Sequence, residues 1–132
     1  MTIKKFIAVA VILLAGLGWY YSRSAGVATT AQAPADGRMI TVQGTVDRLL
    51  PDDRDGSPHQ RFVVRTASGQ TLLVAHNIAL AQRLDGLRQG DTVTLYGEYV
   101  WNNHGGLMHW THRDPSGRHT SGYIEWQGRR YQ

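Results

Sequence analysis

The sequence predicts a small all-β barrel with one helix, in the order β-β-β-α-β-β, behind an apolar N-terminal helix. Three observations predict it. Residues 39–50 and 60–66 alternate apolar and polar side chains with a period of two, the mark of half-buried strands. Glycine is abundant, at 15 of 132 residues, as a body rich in turns requires. Beyond the N-terminus, a single segment at 78–87 places apolar residues at helical spacing.

The N-terminal stretch 6–21, FIAVAVILLAGLGWYY, carries no charge, and Lys4 and Lys5 precede it. Trp19, Tyr20 and Tyr21 at its far end read as an interfacial aromatic belt, with positive charge on the inner side. This length lies between a signal h-region and a spanning helix. Residues 1–23 therefore read as a signal peptide or a membrane anchor. Ala31-Gln32-Ala33 offers a small-x-small cleavage pattern for the first reading. Either one exports the body, to the periplasm in a bacterial cell, with the inner membrane as partner of the apolar segment. Residues 24–37, small and polar, form a flexible linker. Residues 38–132 form the domain.

Charge and cysteine narrow the function. The whole chain carries +4, but from Val27 onward eleven Arg stand against ten acids, a balance of +1. That is too weak a field for a general duplex binder. The absence of cysteine excludes disulfides, thiolate zinc sites and Cys nucleophiles.

Within the domain, Ile40, Val42, Gly44 and Val46 share one face of the first strand, 39–50. PDDRDGSP at 51–58 is a turn-rich loop. A second strand, 60–66, sets Phe62 and Val64 against Arg61 and Arg65. Ser68-Gly69 makes a hairpin turn into a third strand, 71–75. Asn77 is placed to cap a helix over 78–87, where Ile78, Leu80, Ala81, Leu84 and Leu87 form the stripe. A fourth strand runs over 92–101 with Gly97 as a bend, a fifth over 107–112 and a short last one over 123–126. A helix between the third and fourth strands distinguishes the oligonucleotide/oligosaccharide-binding (OB) barrel; a small open sandwich is the competing arrangement.

Several strings carry a resemblance. Pro51-Asp52-Asp53, His59-Gln60-Arg61-Phe62, LLVAHN at 72–77, Gly90-Asp91-Thr92-Val93, Tyr96-Gly97-Glu98-Tyr99, Gly105-Gly106 and HWTHRDP at 109–115 resemble an uncharacterised bacterial family, domain of unknown function 3465. The resemblance spans nearly all of 39–132. It implies the fold and an export segment, and it assigns no activity. The family pattern places a further His after the one at His112. This chain has Arg113 there, which removes a metal role from that position.

All six histidines lie in the body. A two-residue turn at Ser68-Gly69 would set Arg61 opposite His76, with His59 diagonal to it on the same face. Parallel third and fifth strands would then bring the His76 end to the His112 end. Imidazoles with carboxylates suit a borderline divalent metal, zinc or manganese, when no thiolate is offered. The expected ligands are His59, His76 and His112, with His109 or His119 as further ones. On one strand His109 and His112 have opposite parity, so a bulge would be needed to join them. Asp53 and Asp114 are the candidate acids. Arg61 would offset phosphate charge if the reaction were metal-assisted phosphodiester hydrolysis. His104 sits in a turn and reads as solvent-exposed.

The alternative to catalysis is a non-catalytic binding module for single-stranded nucleic acid, glycan or an envelope protein. Tyr99, Trp101 and Trp110 would be its stacking residues and Arg113 a charged contact. PDDRDG lacks the trailing Glu of a calcium loop. No nucleophile elbow and no phosphate-cradling glycine loop is present.

Overall fold

The computed structural model describes residues 37–132. The readings of a signal or anchor segment and of a linker fall on residues 1–36, outside the described residues. Seven strands follow in order: β1 (Arg38–Asp53), β2 (His59–Thr66), β3 (Thr71–Asn77), β4 (Thr92–Val100), β5 (Leu107–His109), β6 (Tyr123–Trp126) and β7 (Arg129–Tyr131). They form one sheet in the order β1-β2-β3-β5-β4-β6-β7, and β1 pairs back onto β4. Five strands, β1-β2-β3-β5-β4, thus close a ring. Only β3–β5 is parallel within it. That is the seam expected between the third and fifth strands.

Alternation puts every second side chain inside the ring. Val46, Phe62, Val64, Leu72, Val74, Val93, Leu95, Met108 and Ile124 form the central core. The β6–β7 hairpin adds Trp126 and Tyr131 to it. This hairpin was not expected from the basic C-terminal end. It turns on Gln127 and Gly128, both at positive φ (51° and 72°), as a two-residue turn between twisted strands requires.

Three expectations are corrected. First, there is no helix among the described residues; 78–87 is a chain of turns. The apolar stripe is real, because Leu84 and Leu87 enter the core. One helix-type bond forms, from Ala81 N to Asn77 O, and side chains take further backbone groups of the segment. Asn77 Oδ1 accepts from Ala79 N. Buried Gln60 donates to Leu84 O and accepts from Leu84 N. Gly86 then turns the chain at φ 87°.

Second, the β2–β3 register is shifted by one residue. Gln60 faces His76, and Arg61 faces Ala75. Thr66 N bonds Gln70 O and Gly69 N bonds Thr66 O, so the loop holds three residues rather than two. Gly69 at φ 87° is its left-handed third residue. A one-residue slip exchanges the faces of every side chain. Third, β1 runs on to Asp53 through a bulge between Val46 and Arg48, so part of the expected 51–58 loop is strand. Between β3 and β4, β5 stops at His109, three residues short of the expected end.

Candidate functional site

The register decides the fate of His76. It points into the ring and is fully buried. Its Nε2 lies 2.9 Å from Gln82 O, which can only accept, so Nε2 carries the proton. Its Nδ1 then accepts from the Thr111 hydroxyl at 2.7 Å. No lone pair remains for a metal. Burial, partly opposed by the Gln82 bond, pushes the pKa down to about 4. His76 is a neutral core group that ties β3 to the chain after β5. The expected meeting of the His76 and His112 ends is present, in the form of this bond.

The outer wall of the ring holds the other polar groups. Glu98 of β4 stands opposite His109 of β5. Glu98 Oε1 is 3.9 Å from His109 Nε2, and Glu98 Oε2 is 2.9 Å from His119 Nε2. Glu98 was not among the expected site residues. Its position opposite His109 follows from strand pairing, and no local motif marks it. Burial pushes the His109 pKa down against the opposing pull of Glu98, while the charges of His59, His119 and His112 add to the fall.

Residues 110–122 fold back over this wall. The parity argument against joining His109 and His112 does not apply, because Trp110 ends the strand at φ 57°. Such a conformation costs a large residue about 1–2 kcal/mol. It places the indole between His112 (centroids 5.1 Å) and His119 (3.9 Å). Two glycines allow the crossing. A Cβ at Gly122 would strike the backbone oxygens of Trp110 and Tyr96, and one at Gly97 would strike His109 O. His109 Nε2 and Trp110 Nε1 are both buried and lack a hydrogen-bond partner. Such atoms are rare in a folded domain.

The remaining expected residues are engaged locally. His59 Nδ1 donates to Ser57 O, and His112 Nδ1 donates to Arg113 O. His104 sits exposed in the β4–β5 turn. Asp114 accepts from Ser116 N and Oγ and from the backbone of Arg118 and His119. These bonds, Ser116 foremost, hold its carboxyl far below the usual range. It organises the 110–122 loop. Asp53 accepts from Asp55 N, and Arg61 Nε donates to Pro51 O. Among the described residues, no group of three or more His, Asp or Glu is gathered to hold a metal ion. Tyr99, expected as a stacking residue, is buried at 1 % exposure and packs beneath Gly106. Trp110 is sandwiched. Trp101 is 54 % exposed, and Arg113 is also exposed.

Pairing lays two rows across the outer wall. Val63 faces Leu73, Leu73 faces Leu107, and Leu107 faces Val100, an apolar row over β2, β3, β5 and β4. Two residues along each strand, Arg61 faces Ala75 and Glu98 faces His109, giving a polar row. His59 and Asn77 continue it. The 54–58 and 101–106 connections border this face. A cleft of about 500 Å³ lies at the other end of β4, beside Arg129 and Arg130. Both guanidinium groups are taken, by Gln82 and Glu125.

The fold and this wall define a class: an all-β domain with five strands in a hydrogen-bonded ring and a histidine–carboxylate patch outside it. A family model described as "Protein of unknown function (DUF3465)" matches residues 23–132. The chain belongs to that family. No curated protein matches it.

Proposed function

We propose that the domain is a non-catalytic binding module built on an OB-type barrel, with the outer wall of β2, β3, β5 and β4 as its ligand face. One observation carries this reading. Registered pairing sets an apolar row across four strands beside the polar pairs Arg61–Ala75 and His109–Glu98, the second pair partly covered by residues 110–122. That is a two-sided surface of the kind a chain-like ligand can lie along. OB barrels bind oligomers on the corresponding face, between the first and the fourth inter-strand loops. This likeness of fold is an analogy and raises the prior only.

Metal-assisted phosphodiester hydrolysis is less well supported. Its proposed acids and its central imidazole already have structural partners. The apolar N-terminal segment supports an exported domain on the outer side of the inner membrane. An alkaline phosphatase fusion at the C-terminus, active only outside the cytoplasm, would test that placement.

The binding reading is tested by amide chemical shifts. Panels of oligosaccharides, single-stranded oligonucleotides and extended peptides are titrated into the labelled chain. The amides of Arg61, Leu73, Ala75 and His109 are expected to move with one ligand class. Saturable shifts confined to the β6–β7 hairpin would refute the placement.

A further inference from the structure

The rows also restrict what can lie on them. This inference rests on the binding reading above and names the ligand class. We infer that the face takes an uncharged, hydroxyl-rich chain: a neutral oligosaccharide.

Charge is the first argument. The polar row offers one guanidinium, Arg61, and one carboxylate, Glu98, with imidazoles between and beside them. Arg61 already spends its Nε on Pro51 O. The body as a whole carries +1, with eleven Arg against ten acids. A polyanion gains affinity by displacing counterions against several cations, and this face has too few. The one carboxylate of the row, Glu98, is already bonded to His119, so it adds negative charge to the face and no site for a cation. Both a donor and an acceptor of hydrogen bonds are present, which is what neutral hydroxyls require.

Shape is the second argument. A sugar ring has an apolar face of C–H groups and a rim of hydroxyls. The wall has the same division, with half-buried Leu73, Leu107 and Val100 in one row, ending at buried Val63, and Arg61, Ala75, His109 and Glu98 in the next. Neighbouring strands lie ~4.8 Å apart, so the accessible row across β3, β5 and β4 is about 10 Å long. That is the length of about two linked sugar units. Trp101 follows directly on Val100 and is 54 % exposed, which sets an aromatic surface at one end of the apolar row. An indole there can stack on a pyranose face. An extended peptide would instead seek a long open strand edge for its backbone, and the ring is closed by the pairing of β1 with β4 and of β3 with β5.

The test uses the full chain in detergent micelles, with calorimetry against cellohexaose, maltohexaose and chitohexaose, and against the oligonucleotide dT20. Each is measured at low and high salt. At least one hexasaccharide is expected to bind with an affinity that salt leaves unchanged. Trp101→Ala should weaken it at least tenfold, and Ala75→Arg, which blocks the wall without touching the core, should abolish it. Both variants should melt within a few degrees of the parent. Binding that neither variant alters overturns the placement. If dT20 binds with a steep salt dependence and shifts the same wall amides, the neutral-ligand class is overturned and the binding reading stands. If no probe, sugar, oligonucleotide or peptide, shifts the wall amides, both are overturned.

Discussion

Acid should destabilise this domain through His76 before most carboxylates begin to titrate. The folded imidazole is neutral, its pKa is pushed down from 6.5 to about 4, and burial is the main cause. The unfolded chain binds the proton near pH 6.5, and the folded one refuses it until about pH 4. Stability contributed by the neutral ring is therefore present above pH 6.5. It falls as pH drops through 6.5 and levels off below 4. From the two values, acidifying from pH 7 to pH 5 should cost about 2 kcal/mol. For a domain of this size that lowers the melting temperature by about 10 °C. Calorimetry or circular dichroism at both pH values reads it. His109 is also held low and acts in the same sense, so a site-resolved measurement decides the assignment. Nitrogen shifts of the His76 ring should keep the neutral pattern, with the proton on Nε2, down to pH 5. His76→Gln, if folded, should lose about 2 kcal/mol less on the same acidification. A His76 ring that titrates near 6.5 would refute the burial argument. So would a melting temperature that is flat between pH 7 and pH 5.

Three further outcomes follow from the packing. Gln60→Ala should cost about 1–3 kcal/mol in denaturant titrations, because it leaves both Leu84 N and Leu84 O without their partner in a buried place. Gly122→Ala should cost about 3 kcal/mol or prevent folding, since its Cβ meets the backbone oxygens of Trp110 and Tyr96 and neither can move aside. Arg65→Ala removes a two-pronged contact with Asp47 on the surface, yet should change stability by less than about 1 kcal/mol, because solvent screens the pair.

Much of the fold was legible locally. Alternation at 39–46 and 60–66 marked strands whose inward set, Val46, Phe62 and Val64, does form the core. The parallel seam between the third and fifth strands also followed from topology. The site was less legible. The same histidines were visible as residue types, but their faces depended on one loop residue. With three residues in the turn instead of two, His76 goes inside with Gln60, and His59 stays outside with Arg61. The missed helix has a similar cause. The stripe at 78–87 was read correctly as apolar and incorrectly as helical, because the hydrogen bonds that compete with a helix there come from Gln60 and His76. Both are distant in sequence or outside the periodic window.

Local sequence carries the all-β character and six of the seven strands, the near-neutral balance of the body, the lack of thiol chemistry and the family strings at 72–77 and 109–115. These are properties of composition and of short periods, which local physics sets. Only the tertiary structure decided that Glu98 joins His109 and His119, that Tyr99 is core while Trp101 is surface, and that two rows line up across four strands. Each depends on which backbone pairs with which and in what register. Register is fixed jointly by turn length, by the Asp47 bulge and by the fit of the core, and no single stretch of sequence carries that sum.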